Sequence, residues 1–197
     1  MEELLKGEKV EWRPLGEVCE IIRGVRVTKN KLKSEGYPVV SGGTGYMGYL
    51  ERYNREAYTI TIAQYGTAGY VKLQTEKFWA NDVCFSVIPT TEVLNKYLYY
   101  TLTNKQEYLY DISNRTAIPY SISKDRILKI LIPIPPLRVQ KKIVEILDNF
   151  TELTAELTAE LTAELTAELE MRRKQYEYYR NELLNFNKTG GKMADDE

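Results

Sequence analysis

The chain contains no histidine and only two cysteines, Cys19 and Cys84, among its 197 residues. Histidine is the commonest general base near neutral pH and the commonest metal ligand, so its absence removes the usual routes to acid–base and metal chemistry. The cysteines lie in apolar surroundings without metal-ligand spacing and read as reduced buried thiols. No apolar run reaches the roughly 18 residues of a membrane span, and no signal-peptide pattern opens the chain. The expectation is a cytoplasmic protein. A large net charge is also missing, since 27 Lys/Arg against 28 Asp/Glu leave −1. The balance is uneven along the chain: residues 1–140 hold 19 basic and 15 acidic side chains, residues 141–197 hold 8 and 13. A mildly basic head is followed by an acidic segment, which permits nucleic acid as a partner of the head without requiring it.

Catalytic patterns are scarce too. Ser41-Gly-Gly-Thr-Gly45 invites comparison with a nucleotide loop, but there is no G-x-x-x-x-G-K-[ST] and no G-x-G-x-x-G opening a helix. No methyltransferase cofactor loop or N/D-P-P-Y motif stands out, nor does a carboxylate pair, a nucleophile–base pair or a metal cluster. The reading is a binding protein rather than an enzyme, with no catalytic residues, no cofactor and no metal.

What the chain has in plenty is a repeat. The unit T-A-E-L recurs four times without a break from Thr154 to Leu169. Ala, Glu and Leu are strong helix formers, and neither Gly nor Pro interrupts them. Pro135–Pro136 marks the start, and nothing afterwards breaks a helix before Gly190. A helix from Leu137 to Phe186 is expected, too long to stand alone and therefore paired with another. Its pairing face is expected to use Ile143, Leu147, Phe150, Leu153, Leu157, Leu161, Leu165 and Leu169. Each four-residue step overshoots a full turn by about 40°, so Leu157, Leu161 and Leu165 share a face while Leu153 and Leu169 flank it. Glutamates four apart, from Glu152 to Glu168, repel by about 0.2–0.5 kcal/mol per pair. One added unit extends a helix by about 6 Å, which makes the cassette a spacer. A plain dimerisation coiled coil stays open as the other reading of this stretch.

The head alternates short strand-like runs with glycine turns. Strands are expected at Tyr37–Val40, Tyr46–Leu50, Tyr58–Ala63, Tyr70–Leu73, Val83–Ile88 and Ile130–Ile134, with helices at Leu15–Ile22, Thr91–Leu109 and Ser123–Leu128. The organisation expected is a recognition domain over 1–136, a spacer and dimerisation helix over 137–186 with its repeats at 154–169, and a polar tail over 187–197. The fold class is α+β: a compact mixed domain followed by a long helix that forms an antiparallel coiled coil in a dimer.

Thirteen of the sixteen tyrosines fall in residues 1–140, many beside glycines or basic residues. Most pack in such a sheet, yet glycine turns let a backbone approach a ligand, and Arg, Lys, Asn, Gln and Ser read bases and phosphates. The candidate DNA contacts are Ser41, Gly42, Gly43, Thr44 and Tyr46 in one turn, Gln64, Tyr65 and Thr67 in a second, and Asn114, Arg115 and Tyr120 in a third segment. Lys29, Lys31 and Lys124 are the phosphate candidates; the first two lie in Arg23–Lys33, a run with five basic residues and no acid.

Several motifs occur in a definite order. They are Tyr37-Pro-Val-Val-Ser-Gly-Gly43, Gly45-Tyr-Met-Gly-Tyr49, Ile62, Tyr65-Gly-Thr-Ala-Gly69, Phe78-Trp79, Asp82-Val83, Ala117-Ile-Pro-Tyr120, and Ile132-Pro-Ile-Pro-Pro-Leu137 with Gln140, Ile143 and Leu147-Asp148. In this order, and followed by T-A-E-L repeats, they resemble one target-recognition domain and one conserved helix of a Type I restriction–modification specificity subunit. The resemblance runs from about residue 10 to 186. It implies a non-catalytic subunit that reads a split DNA sequence and positions adenine-N6 methyltransferase subunits, together with restriction/translocase subunits in a full enzyme. The family pattern has two such domains and two helices in one polypeptide. One of each here implies an antiparallel homodimer reading an inverted, interrupted repeat of double-stranded DNA. Two further readings stay open: a coiled-coil protein-interaction module without sequence-specific DNA binding, and a truncated regulator that pairs with a full-length specificity subunit.

Overall fold

The computed structural model describes residues 7–116 and 118–185. The expected tail at 187–197, Phe186 at the expected helix end, Ala117 in the Ala117–Tyr120 motif and residues 1–6 of the expected recognition domain lie outside the described residues. The chain divides into two compact units, Met1–Ile146 and Leu147–Glu197.

In the first unit β1 (Glu11–Pro14) leads into the single helical turn α1 (Leu15–Val18) and then β2 (Cys19–Arg23). A 3-10 turn at Lys29–Lys31 precedes β3 (Tyr37–Val40) and β4 (Tyr46–Leu50). Next come β5 (Thr59–Ala63), β6 (Val71–Gln74), β7 (Trp79–Ala80) and β8 (Cys84–Pro89). Helices α2 (Asn95–Asn104), α3 (Gln106–Asp111) and α4 (Lys124–Leu128) are followed by β9 (Leu131–Ile134) and the long α5 (Leu137–Leu184). Four strands form an antiparallel sheet in the order β2-β8-β5-β6. Three more form a sheet in the order β4-β3-β7, with β3 and β7 parallel. β1 and β9 make an antiparallel ribbon.

The register of the four-stranded sheet explains its two faces. Ile60 sits opposite Val87 and Ile62 opposite Phe85. With Ile21 they join Leu98, Leu102 and Ile127 in the main core, where each fully buried side chain contributes about 1.5–3 kcal/mol. The alternate residues Thr61 and Ser86 are opposite each other on the second face and are also buried. Buried hydroxyls need partners. Gln74 donates from Nε2 to Thr61 Oγ1 at 3.0 Å, Thr61 donates to the Lys72 carbonyl at 3.1 Å, and Arg55 Nε donates to Ser86 Oγ at 2.8 Å. A small cluster of Val40, Phe78, Ala80 and Cys84 packs against this same face.

Two expected helices differ from the structure. Residues 15–22 form one helical turn and then a strand, because Cys19 and Ile21 alternate with exposed Glu20 and pair with β8. The helix expected to start at Thr91 starts at Asn95 and is broken at Lys105 into α2 and α3. Its start is satisfied from a distance: Gln140 Oε1 accepts from the Leu94 amide at 2.9 Å. The Gln140 amide donates to the Glu92 and Pro135 carbonyls at 3.0 and 2.9 Å, so a wholly buried polar side chain has every group paired. Val139 is buried and Ile143 and Val144 pack against the main core, which makes the first turns of α5 part of the first unit.

In the second unit α5 continues to Leu184; Leu147 and Asp148 are half-buried and the residues from Asn149 on are exposed. Its repeats build four ridges, and Thr lies opposite Glu on the helix. Thr154, Thr158, Thr162 and Thr166 each donate their hydroxyl to the carbonyl four residues back, at 2.7 Å. The hydroxyls are thereby satisfied within the helix, and the threonines present methyl groups beside alanines. Leu153, Leu157, Leu161, Leu165 and Leu169 are 51–70% exposed, and Phe150 64%. Among the described residues no helix is long and apolar enough to cross a membrane.

Candidate nucleic-acid interface

Three segments far apart in sequence are joined backbone to backbone. The first is the β3–β4 turn (41–45), the second the β5–β6 turn (64–70), the third the segment after α3. Thr67 donates to the Gly42 carbonyl from its amide at 2.9 Å and from its hydroxyl at 2.8 Å. The Gly66 amide donates to the Tyr120 carbonyl at 3.1 Å, and the Ile122 amide to the Gln64 carbonyl at 3.0 Å. Asn114 and Ser121 exchange amide-to-carbonyl bonds of 2.6 and 3.1 Å, closing the third segment into a loop. Hydrogen bonds thus link the first turn to the second and the second to the loop.

Glycine is required where these turns touch. A Cβ at Gly42 would collide with the Tyr65 carbonyl oxygen, and one at Gly66, whose φ is +76°, would lie 2.8 Å from the Gly42 carbonyl oxygen. Gly43 is different: it is exposed, and a Cβ there would meet nothing within 4 Å. Internal packing gives no reason for glycine at this position, which leaves the backbone open to an incoming surface. Ser41 is half-buried, with Asn81 Nδ2 at 3.4 Å from its hydroxyl. Thr44 is exposed.

Aromatic and charged side chains cluster around the turns. The Tyr46 ring is 41% exposed and has the Lys72 ammonium 5.0 Å from its centroid. Its hydroxyl lies 3.3 Å from Glu76 Oε1. Partial burial, then Glu76, raises this phenol above its ordinary value, so it stays a neutral donor. Arg115 lies 5.2 Å from the Tyr110 ring and 5.6 Å from the Tyr120 ring. The Asn114 side-chain oxygen accepts from the Thr116 amide at 3.0 Å and its hydroxyl at 2.7 Å, so this asparagine shapes its loop.

The remaining candidates separate by place. Gln64 and Tyr65 are half-buried, and Gln64 Oε1 is a buried acceptor without a partner among the described residues. Lys29 and Lys31 are exposed on the 3-10 turn and no described residue pairs with their ammonium groups. Elsewhere in the same basic run, Arg23 donates to the Asp82 carbonyl at 2.7 Å and Lys33 pairs with Glu51, so both serve the fold. Lys124 opens α4 near Cys19. Of the helix residues, Ile143 packs on the main core, Leu147 is half-buried, and Phe150 onward is exposed.

Lys72, Glu76 and Tyr110 were not among the sequence candidates, although each adjoins one of them. For Lys72 a signal existed: it lies between the apolar Val71 and Leu73 just after a glycine turn. Glu76 and Tyr110 carried none: Glu76 meets Tyr46, 30 residues away, and Tyr110 meets Arg115 only through the turn that follows α3.

Residues 7–167 match the family described as the Type I restriction modification DNA specificity domain. A Haemophilus influenzae protein named as a type I restriction enzyme specificity subunit is 42% identical over 190 residues, covering 94% of this chain and 49% of that protein. A type I restriction enzyme specificity subunit of Escherichia coli is 35% identical over 208 residues, covering 93% and 50%. The chain spans about half the length of the curated relatives it matches. The crystal structure of the S subunit of a type I restriction–modification system from M. genitalium superposes with a TM-score of 0.69 at 21% identity, covering 92% of this chain and 48% of that one. The HsdS subunit from Thermoanaerobacter tengcongensis gives 0.59 at 22% identity, covering 77% and 39%. The mixed α+β head and long helix are thus the fold of these subunits, and by its sequence the chain belongs to the Type I restriction–modification DNA specificity family.

Proposed function

We propose that this chain is the DNA-reading component of a type I restriction–modification system and carries no catalytic site of its own. Residues 1–136 act as the recognition domain for one half-site, and 137–186 as the spacer and dimerisation helix. Two copies pair through antiparallel α5 helices and hold two heads on an inverted, interrupted target. Adenine-N6 methyltransferase subunits, and restriction/translocase subunits, are the protein partners placed by this assembly.

The observation that carries the reading is the exposed leucine ridge of a helix whose threonine hydroxyls are already satisfied. Apolar surface of that extent on a lone helix calls for a second helix against it. The turns at Ser41–Tyr46 and Gln64–Thr67, with Asn114, Arg115 and Tyr120, form the surface for base edges. Lys29, Lys31 and Lys124 meet phosphates. Leu147, Phe150, Leu153, Leu157, Leu161, Leu165 and Leu169 supply the helix contact, with Ile143 at its inner end. The glutamate ridge opposite the threonines suits a rod that passes unread base pairs without gripping their phosphates.

The test changes the number of T-A-E-L units in the chain co-expressed with a methyltransferase subunit and maps N6-methyladenine across the host genome. One unit more in each helix of the pair lengthens the rod by about 6 Å, close to two base pairs. The half-sites stay the same and the gap between them grows. Altered half-sites, or an unchanged gap, would contradict the spacer role. A chain that stays monomeric in sedimentation at working concentration would remove the homodimer.

A further inference from the structure

We propose that Arg115 is a guanine-reading side chain, held in its reading position by Tyr110 and Tyr120. The inference rests on the DNA-recognition reading above and deepens it by naming one base of the half-site.

An arginine on a surface loop is ordinarily free to wander, and ordering it costs side-chain entropy of about 2 kcal/mol. Arg115 is engaged along one edge. Its Nε donates to the Tyr110 carbonyl at 3.2 Å, and its guanidinium has the Tyr110 and Tyr120 rings 5.2 and 5.6 Å away. The loop beneath it is closed by the Asn114–Ser121 bonds and tied to the second glycine turn through Tyr120 and Gly66. Among the described residues neither Nη group has a hydrogen-bond partner. The Nε side of the guanidinium is therefore occupied, while the outer fork of two parallel Nη–H groups has no hydrogen-bond acceptor among the described residues.

That fork matches two acceptors in one plane. Guanine presents such a pair in the major groove, O6 and N7, and bidentate arginine to guanine is the commonest specific contact to a base. A phosphate also accepts a fork, although a lysine serves phosphate as a point charge. A guanidinium fixed in plane and direction supplies what discrimination between base edges requires, and the 7-deazaguanine comparison below separates that role from a phosphate contact. Tyr110 and Tyr120 are positioning residues here.

Four comparisons, three on the protein side and one on the DNA side, test the assignment with the full chain. Binding sites are selected from a randomised duplex library by the wild type, Arg115→Ala and Arg115→Lys. The wild type is expected to select half-sites with one invariant G·C pair that becomes open with Arg115→Ala, the other positions unchanged, with a loss of about 10- to 100-fold on the wild-type site. Arg115→Lys is expected to lose the same position, since an ammonium lacks the fork. Tyr110→Leu is expected to weaken selection at that position only. In a wild-type complex, replacing the guanine by 7-deazaguanine, which lacks the N7 acceptor, is expected to cost about tenfold or more; this arm decides if a variant fails to fold. Uniform weakening at all positions with a shallower salt dependence would make Arg115 a phosphate contact and overturn the proposal. So would insensitivity to 7-deazaguanine. A wild-type chain that selects no motif would instead overturn the DNA-recognition reading itself.

Discussion

The carbonyl oxygen of Gly42 accepts two hydrogen bonds from Thr67, one from its amide at 2.9 Å and one from its hydroxyl at 2.8 Å. Residues 25 apart in sequence thereby lock two glycine turns that belong to different sheets. Turns held this way keep a fixed shape, and recognition of a base sequence needs surfaces that do not rearrange on contact.

The two adjacent glycines of the first turn separate packing from binding. Gly42→Ala drives a methyl into the Tyr65 carbonyl and is expected to destabilise the protein by about 1–3 kcal/mol. Gly43→Ala has open space and is expected to leave stability within about 0.5 kcal/mol while weakening DNA binding. Thermal unfolding and a duplex-binding titration on both variants check this. Equal stability of the two would mean the turns are not locked.

Gln140→Leu is expected to cost about 2–4 kcal/mol, because it leaves the Leu94 amide and the Glu92 and Pro135 carbonyls without their partner. Urea unfolding gives the midpoint shift, with an unchanged slope if the native state stays compact. A shift below the effect of an average surface substitution would show that water replaces these bonds freely.

Salt is expected to act in opposite directions on the two activities. Helix pairing tightens with ionic strength, since the glutamates of the repeat repel within one helix and across a pair, and the screening length falls from about 30 Å at 0.01 M to about 8 Å at 0.15 M. DNA binding weakens, and Lys29→Ala or Lys31→Ala lowers the salt slope by about one without changing sequence preference. Sedimentation and binding measured over the same salt series test both; parallel trends would count against the division of labour.

Burial pushes the Cys84 thiol from 9.0 up to about 12, with Arg55 opposing only in part, and the Cys19 thiol likewise to about 12, with Lys124 opposing. In each case the folded state holds its proton more tightly than the unfolded chain. The contribution is fully present below about pH 9 and is lost as pH rises from there through about 12. Wild type is therefore expected to lose stability faster than Cys84→Ala across that window in alkaline unfolding. Identical slopes would show that the thiolate is accommodated in the fold.

Much of the head was legible because strands of alternating or continuous apolar residues announce themselves locally. Strands β3 and β4 and the start of α5 at Leu137 lie where the sequence placed them, and Thr59–Ala63 shows its β-branched character directly. Strand β2 was misread as helix because Leu15–Ile22 has apolar residues at both helical and strand spacing, and only pairing with β8 decides between them. The start of α2 was misplaced because its capping acceptor comes from Gln140, 46 residues later. The candidate turns were found through their glycines. Their mutual bonding, and the roles of Lys72, Glu76 and Tyr110, depend on contacts between segments with no sequence relation.

By itself the sequence determined the periodicities: a four-residue repeat that can only be a helix, strands with a two-residue alternation, and glycines where the chain must turn. These are properties of the backbone and its nearest neighbours, so they are written locally. Tertiary structure decided which glycines are obligatory, which basic side chains are engaged and which are open, and that Arg115 lies beside the rings of Tyr110 and Tyr120. Those outcomes come from backbone and side-chain groups meeting across large sequence separations, where only the folded packing brings a donor to its acceptor.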